Sequence, residues 1–220
     1  MIDYSREADL DQFIGHLKTI SEEGVENLYM EEIESIPSRS IKKIESETGL
    51  RVSQGIDIKI NSIPYIIDQI YKVKKENMLD KEVLIIGHKK EEVKKVIELI
   101  WKDFNFISLV GLEETMEDVY KSIFEIKGIS LFQPKIDSLD LKSYDIIINL
   151  WNKYPLREAR LNRKTIIFDY SREKPFKRLK NNMVITNINI EVKEEELNLN
   201  PILGLRLKSE VYEEIIGGDF

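Results

Sequence analysis

Short runs of apolar residues, most of them closed by a glycine or a polar residue, recur along the chain after residue 80. Continuous runs of this kind are typical of strands that are covered on both faces, as in a parallel sheet. Apolar residues at helical spacing, such as Val93, Val96 and Ile100, lie between the first run and the second. The pattern predicts six strands, over residues 83–87, 106–111, 128–132, 144–150, 165–169 and 183–186.

Alternation of strands with helices or loops indicates a doubly wound, mostly parallel α/β sheet of the Rossmann-like class. This domain is expected over residues 81–220, with a last helix over 209–216. In the first 80 residues, two apolar stripes predict helices, the second of them ending at Gly49. Residues 55–61 alternate apolar and polar side chains and predict a strand, and Pro64 then introduces another helix. Residues 1–80 are therefore expected to form a smaller N-terminal α/β domain.

Composition excludes several kinds of protein. With 42% hydrophobic and 33% charged residues, the chain has enough apolar side chains to fold. No stretch approaches the roughly 20 apolar residues of a membrane helix, and the start lacks the features of a signal peptide, so we expect a cytoplasmic protein that does not contact membranes. Cysteine is absent and there are only two histidines, His16 and His88, so no metal site is expected.

The net charge of −7 is concentrated at the beginning of the chain. Residues 1–80 carry 10 basic and 16 acidic side chains, whereas residues 81–220 carry 23 and 24. Binding to nucleic acid requires a basic face that neutralises phosphates. We therefore expect no nucleic-acid partner.

The first candidate site follows the strand that ends at Gly87. Ligands of open α/β sheets bind beyond the carboxyl ends of the strands. Gly87 would permit a tight turn, and His88, Lys89 or Lys90 would help to hold a phosphate. Alternatively, these are solvated side chains balanced by neighbouring glutamates. The G-x-G-x-x-G fingerprint of dinucleotide-binding loops is incomplete, because Lys89 and Glu92 occupy the second and third glycine positions.

Two further strand ends carry candidate binding residues. Glu113 follows the second strand and would accept hydrogen bonds from a ribose, although an acidic helix start explains it equally well. Asn149 ends the fourth strand, where an amide can orient a ligand, and Trp151 would cover a ring. The alternative for this segment is a turn with a partly buried tryptophan.

The densest polar cluster of the sequence, Asp169-Tyr170-Ser171-Arg172, follows the fifth strand. Its carboxyl and phenol groups make Asp169 and Tyr170 the candidates for moving a proton in catalysis. A structural explanation is also open, in which Asp169 caps a turn and Arg172 pairs with Glu173.

Three segments carry a family resemblance: V-L-I-I-G at 83–87, Y-D-I-I-I-N at 144–149 and T-I-I-F-D-Y-S at 165–171. Together they resemble the nicotinamide-binding domain of the shikimate dehydrogenase and glutamyl-tRNA reductase group. The resemblance implies NAD or NADP over Gly87, with Asn149 and Asp169 near the nicotinamide end. The chain departs from this group in its glycine loop, in lacking a recognisable lysine–aspartate pair before residue 80, and in lacking cysteine.

Two functions are consistent with these features. The first is a Rossmann-like protein that binds a nucleotide or a small anionic ligand in an interdomain cleft, as a degenerate NAD(P)-dependent dehydrogenase. The second is a non-catalytic regulatory or protein-interaction scaffold. Fold alone does not choose between them. A homodimer is expected only because dimers are the commonest oligomers.

Overall fold

Two units make up the chain by their contacts, one of residues 1–56 and 189–220 and one of residues 57–188. The computed structural model describes residues 6–22, 24–28, 30, 33, 36–53, 55–135, 139–151, 161–191 and 206–208. The predicted helix over 209–216 lies outside the described residues. The division into domains at residues 80 and 81 stays a prediction.

The described elements alternate between helix and strand for most of the chain. In chain order they are α1 (Glu7–Glu22), β1 (Asn27–Leu28), α2 (Ser38–Thr48), β2 (Arg51–Val52), α3 (Ile56–Lys74), β3 (Glu82–Ile86), α4 (Lys90–Ile100), β4 (Phe106–Val110), α5 (Glu113–Lys127), β5 (Ile146–Asn149), β6 (Ile166–Asp169), β7 (Met183–Ile185), β8 (Asn189–Glu191) and β9 (Arg206–Lys208).

The first unit is held together by the apolar stripes of α1 and α2. Ile14 and Ile44 are buried in a shared core that also contains Val52 of β2. At the edge of this core Lys43 Nζ pairs with Asp11 Oδ1 over 2.6 Å. β1 and β2 pair in parallel, and β8 and β9 pair antiparallel.

The second unit contains a five-stranded sheet in the order β4-β3-β5-β6-β7, with every neighbouring pair parallel. The chain winds outward from β3 to β4, and it then returns to the other side of β3 to place β5. This reversal divides the sheet into two halves, as in doubly wound α/β proteins. The predicted Rossmann-like, parallel α/β class is therefore confirmed.

Both faces of this sheet are covered by side chains. On one face, Leu84, Ile147 and Ile167 pack with Leu141 and Phe176, which come from two short 3-10 helices at Leu141–Ser143 and Pro175–Arg178. On the opposite face, α4 packs closely behind β3 and contacts α5. Burial on both sides explains why the strands are continuous apolar runs.

The strand predicted over 55–61 is wrong, because residues 56–61 begin the 19-residue helix α3. Ile56, Ile58 and Ile60 match the two-residue period of a strand, but Ile60, Ile63 and Ile67 continue the pattern at helical spacing and are buried. Pro64 lies inside this helix rather than ahead of it.

The strand predicted over 128–132 is reduced to a single parallel bridge between Phe132 and Ser108 of β4. Phe132 is 65% exposed, so this segment lacks the two-sided burial that lengthens the central strands. The bridge occupies the edge position of a third strand, beside β4. None of the helices in the described part of the chain is long and apolar enough to span a membrane.

Removing a buried methyl-bearing side chain from the central strand should weaken the fold strongly. Ile148 is fully buried in β5. We expect Ile148→Ala to lower the free energy of unfolding by about 2–5 kcal/mol. The matched change Ile126→Ala, at a site that is 58% exposed, should alter it by no more than about 0.5 kcal/mol. Urea denaturation of the two variants measures both values, and equal losses would contradict this account of the core.

Candidate functional site

The carboxyl tips of the strands form a continuous edge, because backbone hydrogen bonds extend past the strand ends. Gly87 N donates to Val110 O over 2.9 Å, and Leu150 N donates to Ile86 O over 2.7 Å. Tyr170 N donates to Asn149 O over 2.9 Å. The first, second, fourth and fifth predicted strand ends therefore lie side by side.

Gly87 is required by close packing at the tip of β3. A Cβ atom at this position would lie 2.3 Å from Cγ2 of Val93, a buried residue of α4. Gly111, at the tip of β4, is restricted in a similar way, since a Cβ there would lie 2.0 Å from the carbonyl oxygen of Gly87. Because Gly87 has no side chain, α4 can pack close to the sheet at this point.

An aromatic pair spans the point where the strand order reverses. His88 follows the tip of β3 and Trp151 follows the tip of β5, and their rings stack with centroids 6.2 Å apart and planes 28° apart. Both residues are partly exposed. Trp151 N donates to Asn149 Oδ1 over 3.1 Å, which fixes the backbone that carries the indole.

Ion pairs engage the lysines at the start of α4. Lys89 Nζ lies 2.6 Å from Glu92 Oε1, and Lys90 Nζ lies 3.4 Å from Asp118 Oδ2 of α5. The side chain of Glu92 is only 16% exposed. The pairing agrees with the interpretation of Lys89 as a lysine balanced by a neighbouring glutamate. Glu113, the first residue of α5, is exposed.

Asp169 is fully buried and surrounded by donors. Its Oδ1 accepts hydrogen bonds from Asn149 Nδ2 over 2.9 Å and from Ser171 Oγ over 2.6 Å. Its Oδ2 accepts from Phe176 N over 2.9 Å. The strand register places Asn149 directly beside Asp169. One carboxyl group therefore joins the tips of β5 and β6 to the 3-10 helix that follows.

The two predicted catalytic groups lie in different surroundings. Burial raises the pKa of Asp169, an effect that the hydrogen bonds from Ser171, Phe176 and Asn149 oppose. Burial also raises the pKa of Tyr170, whose hydroxyl has no hydrogen-bond partner among the described residues. The Tyr170 ring contacts Phe168 edge-on, with centroids 5.9 Å apart. Successive strand side chains alternate between faces, so Asp169 and Tyr170 face opposite sides of the sheet.

The structure thus brings some predicted residues together and separates others. Gly87, His88 and Lys89 lie at one tip, next to Asn149 and Trp151 at the tip of β5. Glu113 lies beyond β4, on the outer side. The binding and catalytic roles of these residues stay predictions. The hydrogen bond from the backbone N of Phe176 to Asp169 was not predicted, because every residue except proline has a backbone N–H and the sequence does not show which one will be the donor. The close contact between Gly111 and the backbone of Gly87 has a sign in the sequence, because a glycine ends each of the two apolar runs.

No group of three or more His, Asp or Glu side chains suited to a metal occurs within the described ranges. The sequence matches no protein-family model. It also matches no curated protein.

Solved structures similar to this chain include several dehydrogenases. A shikimate 5-dehydrogenase from Listeria monocytogenes, in complex with shikimate and NAD, is 9% identical over 82% of this chain and 72% of its own, with a TM-score of 0.43. A shikimate dehydrogenase in complex with NADP+ is 19% identical over 62% of this chain and 51% of its own, with a TM-score of 0.39. A dipicolinate synthase chain from Bacillus halodurans is 13% identical over 73% of this chain and 57% of its own, with a TM-score of 0.43.

The identities of these three structures to the chain are all below 20%, and the TM-scores are all below 0.5. In the shikimate dehydrogenase bound to NADP+ the match spans about half of the protein. The strand order of the sheet defines the class independently, as a Rossmann-like α/β protein.

Adding a methyl group at Gly87 should strain the tip of β3. We expect Gly87→Ala to lower the free energy of unfolding by about 1–3 kcal/mol, because Val93 leaves no room for it. Combining it with Val93→Ala should recover part of the loss attributable to the clash. As a control, Gly15→Ala in α1 meets nothing within 4 Å and should stabilise the helix by roughly 0.5–1 kcal/mol. Denaturant unfolding would contradict the packing argument if both glycine variants behaved alike.

Replacing Asp169 should remove a pH-dependent contribution to stability. Asn has one acceptor oxygen, so Asp169→Asn cannot satisfy the same three donors, and we expect a loss of about 1–3 kcal/mol. The raised pKa means that the native state binds the proton more tightly than the unfolded chain. The wild type should therefore gain stability over the variant as the pH falls through the raised pKa, levelling off below the ordinary value of about 3.9. Unfolding measured from pH 8 to pH 4 tests this, and a constant difference would contradict it.

Proposed function

We propose that residues 57–188 bind a nucleotide or another small anionic ligand at the carboxyl edge of the sheet. The observation that carries the proposal is the reversal of strand order between β3 and β5. In open α/β sheets a crevice forms beyond the strand tips at such a reversal of strand order. The crevice is the default ligand position in open α/β sheets.

Polar and aromatic residues at these two tips suit such a ligand. His88 and Lys89 would place hydrogen-bond donors beside the crevice, and Lys89 carries a positive charge that it shares with Glu92. Charge-assisted hydrogen bonds to phosphate are stronger than neutral ones. Trp151 places a ring beside the same crevice. The side chain of Asn149 is hydrogen-bonded to Asp169 and to the backbone N of Trp151. Asn149 would therefore act by positioning Trp151.

A dinucleotide fits this edge only in part. Gly87 lies where the fingerprint has its first glycine, but its missing side chain is used for contact with Val93. Lys89 and Glu92 stand where the second and third glycines would let a pyrophosphate approach the backbone. The start of α4 does not fit that approach. NAD and NADP therefore remain ligands to test, and Asp169 and Tyr170 remain catalytic residues only by prediction.

Calorimetric titration of the full chain with NAD, NADP and ATP tests the proposal, with thermal unfolding as a second measurement. We expect at least one of the three to bind saturably and, at about 100 times its Kd, to stabilise the fold by about 2.7 kcal/mol. Lys89→Gln should weaken this binding, because it leaves the Glu92 carboxylate without its partner near the phosphates of the ligand. The matched control Lys121→Gln removes a lysine from another local ion pair, with Glu117 on α5, and should not.

A flat response to all three nucleotides would contradict the proposal. It would favour the alternative of a non-catalytic scaffold that uses the same fold. Formation of a homodimer is a separate prediction. Sedimentation of the purified chain tests it by measuring the mass of the species in solution.

A further inference from the structure

We infer that the crevice receives a planar ring, which stacks on the aromatic pair of His88 and Trp151, and that no pyrophosphate rests on the start of α4. The inference depends on the proposed function, because it names the part of the nucleotide that the site recognises. The ligand class is a nucleoside, with or without a phosphate pointing away from α4.

The first argument is the position of the rings. His88 and Trp151 directly follow the tips of β3 and β5, so the ring pair lies where the strand order reverses. Both residues are partly exposed, and Trp151 also packs against the core on one face of the sheet. Stacking of a base on an aromatic side chain contributes about 1–3 kcal/mol and tolerates different bases.

The second argument is the support behind Trp151. Its backbone N is held by Asn149, and Asn149 is held by Asp169, which also binds the amide of Phe176. Asn149 and Asp169 are both fully buried. The backbone at Trp151 is therefore positioned before a ligand arrives, which lowers the entropy lost on binding.

The third argument is electrostatic. Helix N-termini attract anions through their exposed N–H groups. In α4, Glu91 and Glu92 already occupy the first turn, and Glu92 is largely buried against Lys89. Where the fingerprint has its third glycine, a pyrophosphate would meet the carboxylate of Glu92, and Lys89, the partner of Glu92, fills the place of the second glycine. A neutral ring needs neither position.

Competition and mutation separate ring recognition from phosphate recognition. For the wild type we expect adenosine or nicotinamide riboside to bind, with NAD no more than about tenfold tighter, which corresponds to about 1.4 kcal/mol. Inorganic pyrophosphate should not displace NAD. In a Trp101→Phe background, Trp151 is the remaining tryptophan, and nucleoside binding should change its fluorescence.

Variants then test the two halves of the inference. Trp151→Leu should weaken NAD and nucleoside alike, by about fivefold to one hundredfold, while Trp151→Phe retains most of the affinity. Glu92→Gln should strengthen NAD but not nucleoside, because it removes only the repulsion of phosphate. Glu98→Gln, an exposed site on the same helix, is the matched control and should change neither. Melting temperatures confirm that the variants fold.

Different failures have different meanings. If NAD binds and pyrophosphate displaces it, or if Trp151→Leu leaves NAD affinity unchanged, nucleotide binding stands and ring recognition is wrong. If neither nucleoside binds, ring recognition is also wrong. If NAD, NADP and ATP all fail to bind the wild type, the proposed function itself is overturned.

Discussion

Burial of a parallel sheet on both faces is the constraint on which the second unit depends. Inside such a sheet a polar side chain loses its hydration, so the strands consist almost entirely of apolar residues. Polar side chains gather instead where the strands end, and Asn149 and Asp169 are the last residues of β5 and β6. Even there, each is buried and finds its partners within the chain. The chemistry of the site is thus confined to one edge by the requirements of the core.

The sequence predicted the central part of this architecture well, because β3, β4, β5 and β6 are buried runs that have few alternatives. It failed where two explanations of a pattern compete. Residues 55–61 satisfy both the period of a strand and, when extended to Ile67, the period of a helix, and the longer pattern determines the structure. Phe132 is apolar, but it lies at the exposed edge of the sheet. The residue types of a segment do not reveal whether it will lie at an edge or in the centre.

For the site, the sequence located the strand tips but not the interactions among their side chains. That Asp169 would follow a strand was predictable, whereas its enclosure by Ser171 and by the Phe176 amide depends on how a 3-10 helix folds back. In the same way, Lys89 and Glu92 are three residues apart on a predicted helix, which favours their pairing. The stack of His88 on Trp151 joins residues from separate strands, and only the strand order brings them together.

The strand order also has a consequence for how the chain folds. β3 and β4 are joined by a single helix and can associate locally, but β3 must also find β5, and the paired positions Glu82 and Asp145 are 63 residues apart. Closing so long a loop costs entropy before the central contacts form, and parallel pairings of this kind fold slowly. Until then the three isoleucines of β5, Ile146, Ile147 and Ile148, are unprotected in the nascent chain. A fully buried part of the finished sheet is therefore exposed during synthesis, when aggregation competes with folding.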